Sequence, residues 1–364
     1  MGEPLRIGII GCGNIARQYT TTFARLPDAE LVAVADIDAA RAGELAAELD
    51  GTDAVPVDRL LADASLDAVV NLTVPAVHAE VSLRIIEAGR SVYVEKPLCA
   101  TTAQAREVLA AADAAGVLVG CAPDTVLGTG LQTARRAIDD GLVGRPIAAS
   151  ATMVTPGHER WHPNPDFYYV PGGGPLLDMG PYYVSALVTL LGPVARVLGA
   201  ASATRATRTI GSGPRAGETI PVTTPSHVTG VLVHTSGVLS TLVTSFDSVA
   251  THASPIEVHG ELGSLEVPDP NRFAGAVSVR RLGGNAWEPL PVLGGYEHAA
   301  RGYGLAEMRW NGDGPGLAES RASGRLGFHV LEVMEALLAA AATGRAHDVT
   351  SSVERPAPVP LSAR

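Results

Sequence analysis

Three groups of residues have types and spacings that chemistry could use. The first is Gly11-Cys12-Gly13-Asn14-Ile15-Ala16, which directly follows an apolar run and opens an amphipathic one. In that setting the glycines let backbone approach a pyrophosphate, and the new helix offers unpaired N–H groups and the positive end of its dipole. Asp36 ends the next apolar run, 25 residues after Gly11. That is near the distance at which a carboxylate accepts hydrogen bonds from ribose hydroxyls, and its charge would repel a 2′-phosphate, so NAD is expected over NADP. FAD binds the same turn, but nothing else in the chain supports a flavin.

The second group, His158-Glu159-Arg160-Trp161-His162, matches the HExxH pattern of zinc proteases. That chemistry needs both imidazoles on one helical turn. Pro156-Gly157 precedes the segment and Pro163-Asn164-Pro165 follows it, so a helix is not expected and neither is a metal. The third group is Trp161, His162, Asn164, Tyr168 and Tyr169, whose aromatic faces and mixed donors and acceptors suit a hydroxylated ring. Arginine is sparse around them, Arg160 being the main candidate, which favours a neutral polyol or sugar over a phosphate or carboxylate.

These groups need elements to position them. The first third alternates apolar runs near 5–10, 30–36, 55–57, 67–73, 91–94 and 117–121 with helical spacing over 14–26, 39–49, 76–89 and 101–115. That is the grammar of βαβ units in a parallel sheet. A helix is expected at 127–140, then strands near 146–154, 195–204, 227–234, 238–247, 255–259, 263–267 and 275–282. Hairpin signals at Ser236-Gly237 and Gly260–Gly263 make this second sheet largely antiparallel. Helices at 175–191, broken by Gly180-Pro181, and at 325–342 should cover one of its faces, and 205–221 reads as a long loop.

Composition sets the limits. A chain of 364 residues with 46% hydrophobic and 18% charged residues is globular and long enough for two domains. A net charge of -11 without a basic run argues against nucleic acid. Cys12, Cys99 and Cys121 form no metal-binding or disulfide pattern, which fits a reduced, cytoplasmic setting. Met1-Gly2-Glu3-Pro4 leads straight into a short apolar run without a basic flank, so no leader is expected there. Polar residues, Gly or Pro interrupt every apolar stretch, so no membrane span is expected either.

From Glu95-Lys96-Pro97 onward the sequence resembles the Gfo/Idh/MocA oxidoreductases, the family of glucose–fructose oxidoreductase and inositol dehydrogenase. Thr73-Val74-Pro75 with His78, the run Gly172-Gly173-Gly174-Pro175-Leu176-Leu177-Asp178-Met179-Gly180, and the His259-Gly260…Gly263-Ser264 turn extend the likeness over nearly the whole chain. The resemblance implies an α/β protein: a Rossmann domain over 1–122 and an α+β domain over 123–364 with an open-faced sheet used for oligomer contacts, hence a dimer or tetramer. It also implies an active site in a cleft between the domains. It further implies cofactor contacts from Gly11, Gly13, Asn14, Ile15, Asp36, Thr73, Pro75, His78, Glu95, Lys96 and Pro97, with Lys96 beside the nicotinamide and its bond to Pro97 often cis. Asp124 lies where relatives touch substrate, although it could equally cap a helix.

In the family an aspartate is followed four residues later by a histidine, but here Asp178 is followed by Tyr182. A phenol near pKa ~10 must be lowered to act at neutral pH, and an adjacent Lys96 ammonium would lower it. Lys96, Asp178 and Tyr182 are therefore the expected catalytic set for hydride exchange between nicotinamide and a carbinol. The same residues would serve an epimerase or glycoside-cleaving enzyme that keeps its NAD bound. A silent NAD-linked sensor is the third alternative, and retention of Lys96 and Asp178 argues against it.

Overall fold

The computed structural model describes residues 4–312 and 316–363. Met1, Gly2 and Glu3, part of the segment on which the expectation of no leader rests, lie outside the described residues. The chain runs through β1 (Leu5–Ile10), α1 (Ala16–Phe23), β2 (Ala29–Ala35), α2 (Ala39–Ala46), β3 (Asp53–Ala54), α3 (Val57–Ala62), β4 (Ala68–Asn71), α4 (His78–Glu87), β5 (Ser91–Val94), α5 (Thr102–Ala115) and β6 (Val119–Cys121). It continues with α6 (Thr129–Asp139), β7 (Pro146–Val154), α7 (Gly174–Leu191), β8 (Val194–Ser202), β9 (Thr207–Thr209), β10 (Thr219–Pro221), β11 (His227–His234) and β12 (Leu239–Ser245). Last come β13 (Ile256–Gly260), β14 (Gly263–Val267), β15 (Ser278–Arg281), β16 (Glu288–Pro289), α8 (Tyr303–Asn311), α9 (Gly324–Thr343) and β17 (His347–Asp348). Two compact units result, one of residues 1–127 with 298–331 and one of 128–297 with 332–364.

In the first unit β1 to β6 form a parallel sheet in the order β3-β2-β1-β4-β5-β6. Its central strands are buried on both faces, as their near-continuous Val, Ile and Leu content requires. The order reverses between β1 and β4, and in open α/β sheets ligands bind beyond the strand ends at such a switch point. The glycine-rich turn leaves β1 at that place.

The first unit is larger than the 1–122 expected from sequence. Residues 298–331 return to it because α8 carries apolar side chains on the face that meets the sheet. Leu305 and Met308 join Tyr19, Phe23 and Tyr93 in one core cluster, and Gly120 pairs with Ser323 beyond β6.

The second unit holds a nine-stranded sheet in the order β16-β15-β14-β13-β7-β12-β11-β8-β17. Only the β7–β12 pairing is parallel among the named strands, so the sheet is largely antiparallel, as its hairpin signals require. Helices cover one face. A Cβ on Gly199 or Gly230 would lie 2.6 or 2.3 Å from Leu337 Cδ1, so the bare backbone of β8 and β11 is what admits α9 so closely. The other face carries Thr229, Val231 and Val233 of β11 and Leu239, Thr241 and Val243 of β12, all partly or fully exposed.

Three local expectations change. Helix α7 runs unbroken through Gly180-Pro181, where a Cβ on Gly180 would meet Met334 Sδ at 2.8 Å. Segment 205–221 contains the hairpin of β9 and β10, held by the buried Arg208 and Ile220. Helix α9 is long and apolar enough by composition to cross a bilayer, contrary to the expectation that no segment would be, yet Leu326, Val330, Val333, Met334 and Leu337 are buried within the protein.

Candidate active site

The expected cofactor turn is built at the end of β1. Gly11 has φ +104, and a Cβ there would lie 2.6 Å from the Leu72 carbonyl carbon, so close packing against β4 demands glycine. At Gly13 a Cβ would meet nothing within 4 Å. The backbone is bare toward open space, which is the cradle a pyrophosphate needs. Asn14 and Ile15 follow in the turn, and Ile15 caps α1 without a side-chain hydrogen bond. Asp36 is tied to this turn: Cys12 N–H donates to its Oδ2 at 2.7 Å and Asp38 N–H to its Oδ1 at 2.9 Å. Each oxygen retains a second acceptor site for a hydroxyl. The Cys12 thiol, pushed up to about 12 by burial and then by Asp36, stays protonated.

Two expected cofactor contacts have a different place. His78 is fully buried, with Nδ1 2.7 Å from the Pro97 carbonyl oxygen and Nε2 3.0 Å from that of Thr73. It clamps the Thr73–Pro75 loop to the Lys96–Pro97 loop, and burial pulls its pKa below the ordinary value. Glu95 is also buried, accepting from Tyr19 Oη at 2.9 Å and from the Lys96 N–H at 2.9 Å, with Arg301 Nη1 3.5 Å away. Glu95 and His78 therefore hold the loop that carries Lys96. The Lys96–Pro97 bond is cis.

Asp124 has no exposed surface. Its Oδ2 accepts from Gly302 N–H at 2.7 Å and Gly304 N–H at 3.2 Å, so it caps α8, the second of the two roles weighed from sequence. Burial raises its pKa to about 6, well above the usual carboxylate range. A raised folded-state value means that this group adds most stability below pH about 4 and loses it as pH rises through about 6. By linkage that difference is on the order of 2–3 kcal/mol. Asp124→Asn should therefore gain stability relative to the parent between pH 5 and 7 in urea unfolding. A difference between the two proteins that does not change with pH would count against this assignment.

Most of the residues expected to meet a substrate lie in the second unit. Asp178 and Tyr182 sit one turn apart on α7, and Tyr182 is buried. The turn before them is short: residues His158–Arg160 form a 3-10 turn, not an α-helix. His158 Nε2 lies 3.1 Å from Asp178 Oδ2, while His162 Nδ1 accepts the Asn164 N–H at 3.1 Å. The two imidazoles of the HExxH pattern thus have separate partners. Trp161 and Tyr168 pack edge-on against His158, and His162 lies between Trp161 and Phe167. Tyr169, like Asp124, departs from the expected substrate contacts. It is fully buried, bonding the Glu159 carboxylate through its hydroxyl, which also accepts the His158 N–H at 3.1 Å.

Sequence reasoning missed what holds this turn. Arg208, 3% exposed, pairs with Glu159 at 3.2 Å and with Asp247, donates to the Pro156 and Phe246 carbonyls, and lies over the Tyr169 ring. The signal available was an arginine flanked by threonines in a short alternating strand. Gly157 has φ +114, and a Cβ there would fall 2.1 Å from Glu159 Oε2.

Two family models match the chain: an oxidoreductase family with an NAD-binding Rossmann fold over residues 5–122, and the GFO/IDH/MocA C-terminal domain over 131–266. Among similar proteins, 1,5-anhydro-D-fructose reductase of Ensifer adhaerens is 30% identical over 96% of this chain and 99% of its own. Inositol 2-dehydrogenase of Rhizobium meliloti is 28% identical over 72% of this chain and 74% of its own. A crystal structure of an NAD binding oxidoreductase from Klebsiella pneumoniae shares the fold, with TM-score 0.79, 24% identity and coverage of 95% of this chain and 99% of that one.

Proposed function

The chain belongs to the GFO/IDH/MocA family of NAD-binding oxidoreductases, and on that premise we propose that it exchanges a hydride between NAD and a carbinol of a small neutral polyol or sugar. The observation that carries the reading is the end of β1, where the bare Gly13 faces open space beside an Asp36 already locked to the turn. The bound nicotinamide supplies the hydride acceptor or donor. Oxidising an alcohol also releases a hydroxyl proton, and general-base help with such a step is typically worth about 10²–10⁴-fold. Lys96, Asp178 and Tyr182 are the side chains assigned to that proton. Trp161, His162 and Tyr168 offer ring faces and polar edges to a hydroxylated ring.

The reading is tested by a panel of polyols and sugars that includes 1,5-anhydro-D-fructose and inositol, each with NAD(H) and NADP(H). Turnover should appear with NAD(H), and Asp36→Ser should weaken NAD binding while narrowing the gap to NADP. Tighter binding of NADP than NAD by the parent would sink the cofactor assignment. Product formed without net NADH change would favour the recycling alternative of epimerisation or cleavage.

We also propose a homodimer or homotetramer. Among the described residues, no helix of the second unit covers the sheet face bearing Val231, Val233, Leu239 and Val243, and apolar sheet faces are normally buried. Light scattering should report at least twice the mass of one chain at micromolar concentration, and a monomer there would refute this.

A further inference from the structure

His158 is used by neither the cofactor turn nor the expected catalytic set, yet its surroundings are built around it. Its Nε2 lies 3.1 Å from Asp178 Oδ2, and the two side chains are 12% and 17% exposed. Phe246, Tyr168 and Trp161 box the ring, with centroids at 4.4, 4.7 and 5.2 Å. Nδ1 is buried and has no hydrogen-bond partner among the described residues.

These facts select one arrangement. Of the two neutral tautomers, the one with its proton on Nε2 donates to the carboxylate and leaves only a lone pair buried at Nδ1. The other would bury an N–H with no acceptor and set the Nε2 lone pair against the carboxylate oxygen, a doubly unfavourable state. The ring cannot swing away to relieve it, because three aromatic side chains hold it. Its backbone is held as well, by the Tyr169 hydroxyl and by the Arg208–Glu159 pair on the next residue.

We propose that His158 is the positioning residue for Asp178, fixing the carboxylate through an Nε2–H donor so that it meets the reacting hydroxyl in one orientation. The inference rests on the reading above in which Asp178 takes part in the reaction. Tyr182, four residues after Asp178, has no imidazole to offer; the imidazole at this carboxylate comes from 20 residues earlier in the chain.

The test uses the full chain and three substitutions. A glutamine can place its amide donor near the former Nε2, an asparagine is too short to do so, and a leucine has no donor. His158→Gln should keep kcat for the substrate found in the panel within about fivefold, while His158→Asn and His158→Leu should lower it on the order of 10–100-fold at unchanged NAD affinity. Nitrogen-15 NMR of histidine-labelled protein should show His158 protonated at Nε2 and bare at Nδ1 without any substrate present. A proton on Nδ1, or equal losses in all three folded variants, would overturn the proposal. Asp178→Asn separates the premise from the inference: normal turnover in that variant removes Asp178 from the reaction, whatever the tautomer. Slow turnover there with all three His158 variants near normal defeats only the role given to His158.

Discussion

Lys96→Ala should reduce turnover of the true substrate by on the order of 10³-fold or more while the protein still folds and still binds NADH. The lysine follows the end of β5, its N–H is held by the Glu95 carboxylate, and the loop beyond it is clamped through the Pro97 carbonyl by His78. So much buried polar scaffolding around one loop is wasted on a solvent-facing amine but serves a group that must act at a fixed point. Near-normal turnover by Lys96→Ala would overturn the whole catalytic assignment. Fluorescence titration with NADH distinguishes loss of chemistry from loss of cofactor.

Tyr182→Phe removes a single oxygen from a buried side chain and should leave cofactor affinity intact. If the phenol handles the substrate proton, kcat should fall on the order of 10²-fold. A mild effect here, together with a severe one at Lys96, would assign the proton to the amine instead. The two variants therefore decide between the proton-transfer groups as well as testing each one.

Much of the first unit could be read in advance because its signals are local. Apolar runs, helical spacing and a glycine turn within residues 5–121 need no distant partner to be recognised. What escaped depends on residues far apart in the chain. Asp124 is buried because Gly302 and Gly304 come back to it 178 and 180 positions later. Residues 298–331 belong with the Rossmann sheet because Leu305 and Met308 fill its core, and periodicity cannot say which core a helix fills. The helix 174–191 survives its proline because tertiary packing outweighs one missing hydrogen bond. At 158–162 the prolines correctly argued against a helix, but the same local view had no means of finding Asp178 as the partner of His158. Tyr169 and Tyr168 are neighbours in sequence, yet one anchors the turn and the other packs on His158, and only the position of Arg208 separates those roles.

The buried arginine also has an evolutionary consequence. Gly157, Glu159, Tyr169, Arg208 and Asp247 each lose their reason if another is changed alone: a carboxylate left behind by Arg208 is an unpaired buried charge, and a side chain at 157 displaces Glu159. Descendants of this chain should keep the five together or exchange them together, so the positions should co-vary as a block in an alignment. Lineages that retain Glu159 and Tyr169 after losing Arg208, without a new cation nearby, would contradict it.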